Sequence, residues 1–210
     1  MTERPRLRER KKQATRRALR EAALRLALRH GPDKVRVDDI AEAAGVSPRT
    51  YNNYFSSREQ AIVAAVTAER EERVAAAVTA RPADAGLADT VIEAIVEQYT
   101  DPGEDHRDAL ILITTHPALR AAFVGAATDI EPPLTTAIAA RLGDPEPTTA
   151  RVLAASVAAA VRVALDTWVR PATASGLVLP SGSLADLLRD ALTPLVPALD
   201  AAEARARHQR

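Results

Sequence analysis

Apolar residues recur along this chain at intervals of three and four, and no stretch alternates at two, so the pattern predicts helices throughout. Leu19, Ala22, Ala23, Leu26 and Ala27 mark one face of a helix from about Glu9 to His30, which Gly31-Pro32 stops. Ile40, Ala41 and Ala44 mark a short second helix, Val37 to Ala44, with Asp38 and Asp39 in its first turn, where negative charge suits the exposed N–H groups. Gly45-Val46-Ser47 interrupts the pattern, and Pro48 opens a third helix reaching Tyr54. Gly45 stands where the chain must leave a helix through a left-handed residue. Ser47 can cap the next helix, and Pro48 at its first position loses no useful hydrogen bond. Within the third helix Tyr51 and Phe55 share one side, suited to packing on Ile40 and Val46. Arg49, Thr50 and Asn53 take the opposite side, with Asn52 and Tyr54 at the flanks.

The remaining segments also read as helix. Ser56 or Ser57 caps a long one with Glu59 in its first turn, carrying Ile62, Val63, Val66, Val74 and Val78 up to Arg81-Pro82. Leu87 to Thr100, Glu104 to Thr115 and Ala118 to about Leu142 follow, the last broken or kinked by Pro132-Pro133. Thr148 to Val169 is apolar on more than one face, and Leu184 to about Ala206, disturbed by Pro194 and Pro197, completes an all-α chain. The alanines around Ser156 let helix backbones approach closely. Together with Leu184, Leu187, Leu188, Ala191 and Leu195 they predict a four-helix bundle between two copies of the chain.

Two short helices about a Gly-Val-Ser turn form a helix-turn-helix, which sets its second helix in the DNA major groove. The outward residues suit base reading, since Arg pairs with guanine, Asn with adenine, and Thr offers a hydroxyl or a methyl. Ser47, Pro48 and Tyr54 frame the same surface, and Arg58, at the start of the long helix, is placed to meet a phosphate beside free N–H groups. Charge agrees once the chain is divided. The whole is neutral, yet residues 1–60 carry a balance of +7 and residues 61–210 one of −7. This predicts a DNA-binding domain over 1–60 and a ligand-binding and dimerisation domain over 61–210. The front charge gathers in Arg4, Arg6, Arg8, Arg10, Lys11, Lys12, Arg16 and Arg17, the first of which read as a disordered arm that neutralises phosphates or enters a minor groove.

Composition removes other classes. The chain has no cysteine, which excludes disulfides and thiolate metal sites, and its four His are scattered without metal-ligand spacing. There is no phosphate-binding glycine loop and no nucleophile elbow, so neither an enzyme nor a cofactor is expected. The Arg-rich start lacks the apolar stretch of a secretory signal and Arg162 interrupts the nearest apolar run, so a soluble cytoplasmic protein with no membrane partner is expected.

Ile40-Ala41-Glu42-Ala43-Ala44-Gly45-Val46-Ser47, followed by Thr50, Tyr54-Phe55 and Arg58-Glu59, resembles the TetR family of bacterial transcription regulators. The resemblance implies an all-helical homodimer with a DNA-binding head and a variable body, in which a small-molecule effector weakens the hold on double-stranded operator DNA. Two positions depart from the family pattern. Arg36 stands where a capping Thr is common, so the first short helix is capped less well or gains a phosphate contact; Asn52 stands where an aromatic is common and can instead read adenine. Arg162-Val163-Ala164-Leu165-Asp166-Thr167-Trp168 and the Ser-Pro-Arg-Thr of the head are similar to a subgroup with an acyl-CoA-like ligand-binding domain, including mycofactocin-associated regulators, which implies a large amphipathic ligand.

Candidate ligand residues are Tyr99, Thr115, His116 and Phe123 around the central loop, Arg162 in an apolar helix, and Trp168, either a core plug or a pocket wall. Asp166, four residues after Arg162, predicts a plain intrahelical pair, with anion recognition as the alternative. His116 before Pro117 reads more simply as a loop residue than as a ligand contact. A constitutive DNA-binding dimer without an effector is the competing function.

Overall fold

Among the described residues every regular element is helical, as the periodicity predicts. The computed structural model describes residues 3–82, 84–100, 107–143, 147–170 and 183–208, with the backbone alone for 3–7 and 9. The helices are α1 (Glu3–His30), α2 (Val37–Ala43), α3 (Pro48–Asn52), α4 (Arg58–Ala80), α5 (Leu87–Thr100), α6 (Arg107–Thr115), α7 (Pro117–Gly125), α8 (Glu131–Leu142), α9 (Thr148–Trp168), α10 (Leu184–Leu192) and α11 (Val196–His208). They form two compact units: Met1–Thr67 with Asp105–Phe123, hereafter the head, and Ala68–Glu104 with Val124–Arg210, hereafter the body. The boundary therefore falls inside α4, and α6 and α7 as far as Phe123 belong with the head, where α6 packs on α1.

Four segments differ from the sequence expectation for identifiable reasons. The N-terminal segment continues as helix back to Glu3, where a disordered arm is expected; its Arg, Lys, Glu and Gln residues are good helix formers. The third helix stops at Asn52 instead of Tyr54, because Asn53 and Tyr54 donate to Thr50 and Tyr51, three residues back, and tighten the last turn. The expected helix from Ala118 to Leu142 is instead α7, a 3₁₀ turn over Ala126–Ile130, and α8. Pro132 and Pro133 cannot bond the carbonyls of Thr128 and Asp129, so the Glu131 N–H takes the Thr128 oxygen three residues back. The same substitution splits the last predicted helix: Pro197 cannot reach Thr193, the Val196 N–H does, and a 3₁₀ turn separates α10 from α11.

In the head, Leu19, Ala22, Ala23, Ala27, Ile40, Ala41, Tyr51 and Phe55 form the core around which α1, α2 and α3 pack. In the body, α9 packs against α8 and α10, and α5 against α10 and α11. Alanines at 137, 150, 154, 158 and 164 are buried there, which lets these helices lie close with few aromatic side chains. α9 has the length and apolar character of a membrane-spanning helix, but its buried face is body core and its other face carries exposed Arg162 and Asp166.

Candidate nucleic-acid interface

The turn between α2 and α3 is built by backbone bonds that the sequence allows. Gly45, at φ 68°, closes α2: its N–H donates to Glu42 O at 3.0 Å, and the Val46 N–H reaches Ala41 O at 2.9 Å. This is the paired bonding of a Schellman motif, and it needs the left-handed residue that glycine supplies. The Ser47 hydroxyl then accepts from the Thr50 N–H at 3.2 Å and lies 2.9 Å from the Thr50 hydroxyl. Pro48 takes the first helical position. At the start of α2, Arg36 cannot accept a hydrogen bond as a capping Thr would, so only half of that cap exists: the Arg36 N–H donates to Asp39 Oδ2 at 3.1 Å. The Arg36 side chain itself is exposed.

These constraints present one side of α3 and bury the other. Tyr51 and Phe55 are buried with ring centroids 5.9 Å apart, and the Tyr51 hydroxyl donates to Ser57 O at 2.7 Å. Burial, and then the charge of Glu59, pushes the Tyr51 phenol up to about 12, so it remains a donor. On the outer side Ser47, Pro48, Arg49, Asn52 and Asn53 are exposed, while Thr50 and Tyr54 are half-buried. The Thr50 hydroxyl is engaged with Ser47 and keeps further acceptor capacity, and its methyl is also available to a partner.

Arg58, which the sequence suggests as a phosphate anchor, makes bonds within the head. Its Nη1 donates to the carbonyls of Asp33 and Val35, each at 3.0 Å, its Nε lies 2.7 Å from Glu59 Oε1, and its Nη2 lies 3.7 Å from Asp33 Oδ1. The side chain straps the start of α4 to the turn before α2, inside the head. Burial, the largest single influence, works against the charge on Glu59, but the bond and charge of Arg58, the backbone N–H of Glu59 and the Ser57 hydroxyl together hold that carboxyl below its ordinary value. The adjacent helix cap comes from Ser57, whose Oγ accepts from the Gln60 N–H at 3.1 Å, while Gln60 reaches back to the Ser56 N–H at 2.8 Å. His116, at the corner between α6 and α7, meets the same loop: its Nε2 lies 3.1 Å from Asp33 Oδ1. This contact lies within the head.

The other ligand candidates are divided between the two units. Thr115, His116 and Phe123 fall in the head; Tyr99, Arg162 and Trp168 fall in the body. The Thr115 hydroxyl donates to Ile111 O in its own helix at 2.7 Å, and Phe123 is buried. Arg162 is exposed, and the expected pair with Asp166 is replaced: Asp166 binds Arg170 at 2.7 Å, on the next turn. Trp168 is half-buried. Tyr99 is buried, and the Arg70 guanidinium lies 4.6 Å from its ring centroid, a cation–π contact. Burial pushes the Tyr99 phenol up to about 12 and draws the Arg70 guanidinium down from its usual value, with Tyr99 opposing that fall. Sequence reasoning passed over Arg70, although a signal was present. Ile62, Val66, Arg70, Val74 and Val78 recur every fourth residue, so a cation sits in the apolar seam of α4, and all five are buried.

Residues 19–65 match the family described as bacterial regulatory proteins, tetR family, and residues 80–200 match the MftR C-terminal domain. The chain is similar to the HTH-type transcriptional regulator TcmR of Streptomyces glaucescens, 30% identical over 148 residues, a match spanning 66% of this chain and 65% of that relative. A tetR-family transcriptional regulator from Streptomyces coelicolor aligns over 93% of this chain and 89% of its own, at 20% identity and a TM-score of 0.43.

Proposed function

Since the chain belongs to the TetR family of bacterial regulatory proteins, we propose that it is a transcriptional repressor that binds a pseudo-palindromic operator as a homodimer and releases it when a small amphipathic or acyl-type effector occupies the body. The carrying observation is the capped turn that buries Tyr51 and Phe55 and leaves Arg49, Asn52 and Asn53 exposed together. Guanidinium and carboxamide groups are what base edges in the major groove select for. Selecting a site from random duplex DNA with the native protein supplies the operator. On that site Arg49→Ala, Asn52→Ala or Asn53→Ala should each cost about 1–3 kcal/mol and relax the preference at one base pair. Equal losses on the selected site and on random duplex would remove the residue from base readout. Arg36 and Tyr54 serve as flanking contacts in this reading.

The dimer forms through α9 and the last helices. Val152, Ala159 and Val163 are exposed along one side of α9, at spacings of seven and four, and large apolar residues so placed are covered in a working assembly. Sedimentation equilibrium should give a dimer for the native chain and a monomer for Val163→Glu, with operator affinity lost in parallel. A native monomer at micromolar concentration would sink this interface. In the body, Tyr99 and Arg70 supply the phenol and cation that a polar effector end requires. Titrating the operator complex with saturated acyl-CoA thioesters should release the DNA. If neither these thioesters nor a broader compound library releases the DNA, a constitutive DNA-binding dimer is favoured.

A further inference from the structure

α1 is longer than the head core requires, and its surplus turns are ordered by the same periodicity that builds the core. At about 100° per residue, Arg8, Lys12 and Arg16 share one sector of the helix with Leu19 and Ala23, whose side chains are buried against the head. The face that is apolar inside the head therefore continues outward as a row of cations, four residues and about 6 Å apart. All three are exposed, and the row has a fixed direction at its inner end, where the Arg16 guanidinium lies 5.6 Å over the ring of Phe55. Phe55 lies three residues past the end of α3, so the row begins beside the segment that presents Arg49, Asn52 and Asn53. Arg17 lies well around the helix from this sector and carries an ion pair to Glu21 at 2.7 Å.

We infer that Arg8, Lys12 and Arg16 form a rigid helical rail for the duplex DNA backbone, holding phosphates that flank the bases read by α3. The inference rests on the DNA-binding reading above and adds a second, sequence-independent surface to it. Charge complementarity and continuity with α3 select DNA as the occupant. The neighbours on the outer part of this face, Lys11 and Thr15, provide no apolar strip for a bilayer. Rigidity is the new element: a helix holds its cations in register with the head, whereas a flexible arm pays an ordering cost on binding.

Two variants test it, both beyond the core that begins at Leu19. Arg8→Gln combined with Lys12→Gln should reduce affinity by the same factor on the selected operator and on random duplex. It should also make the slope of log affinity against log salt shallower by about two per bound protomer, since each phosphate contact contributes about 0.9. An unchanged slope overturns the rail. Ala14→Pro, at an exposed position, keeps every charge but breaks the helix between the outer cations and Leu19. It should lose as much affinity as the double variant; native affinity would show that the charges act as a loose arm and overturn the rigid form. Failure of the native protein to select any site would instead refute the parent reading, while the slope on random duplex would still report on the rail.

Discussion

Arg58→Ala is expected to loosen the head itself, and DNA binding should fall as a consequence. Two carbonyls, of Asp33 and Val35, lose their donor, and Glu59 loses its cation. An acceptor left dry costs about 1–3 kcal/mol; the Val35 end of the strap is part-buried and the Asp33 end is exposed, so a loss of about 1–3 kcal/mol is expected. Thermal or urea unfolding measures it directly. A phosphate anchor would behave differently: stability would stay within about 0.5 kcal/mol of native and the salt slope would become shallower. Acid supplies a second check. Glu59 is held below its ordinary carboxyl value in the folded chain, so its contribution is present above that ordinary value and is lost as pH falls through the lowered one. In Arg58→Ala that part of the acid sensitivity should diminish, since only the backbone N–H of Glu59 and the Ser57 hydroxyl then oppose the effect of burial. Unaltered stability and unaltered acid dependence together would return Arg58 to the DNA surface.

The largest loss is expected in the body, from Arg141→Met. The Arg141 guanidinium donates to four carbonyls at the end of α4 and in the turn after it: Val78 at 3.3 Å, Arg81 at 3.0 Å, Pro82 at 3.1 Å and Ala85 at 2.8 Å. A helix leaves its last carbonyls without intrahelical donors, and its C-terminal end carries partial negative charge; one planar cation answers both. Removing it should cost about 3–5 kcal/mol, because charge-assisted bonds are lost and part-buried acceptors remain. Arg141→Lys should recover only a part, since an ammonium has three donors on a point charge and cannot fork to four oxygens. Hydrogen exchange of the amides in the last turn of α4 should speed up most. Native-like melting for Arg141→Met would mean that water replaces the guanidinium at little cost.

Both residues show where the sequence stops being legible. The partners of Arg58 lie 23 and 25 residues away, and those of Arg141 lie 56 to 63 away. No spacing rule connects such positions, so an arginine that straps carbonyls resembles one that waits for a phosphate. The helix-turn-helix was legible because its signals are local: Gly45, Ser47 and Pro48 act on backbone groups within four residues of themselves. Arg70 lies between these cases. Its place in the four-residue seam of α4 was visible, but the aromatic ring that receives it belongs to α5.

The amino-acid pattern alone determined an all-helical chain, the turn at Gly45-Val46-Ser47, the capped and outward-facing α3, and a basic front before an acidic remainder. Each follows from hydrogen bonds or side-chain spacing within a turn or two of helix, where the chain has few alternatives. Tertiary structure decided which cations turn inward. Arg58, Arg70 and Arg141 found carbonyls or a ring only when distant segments met, and Arg8 and Lys12 stayed outside because α1 runs on past the core that would have covered them. An arginine is committed by the acceptors around it, and those acceptors exist as a group only in the folded chain.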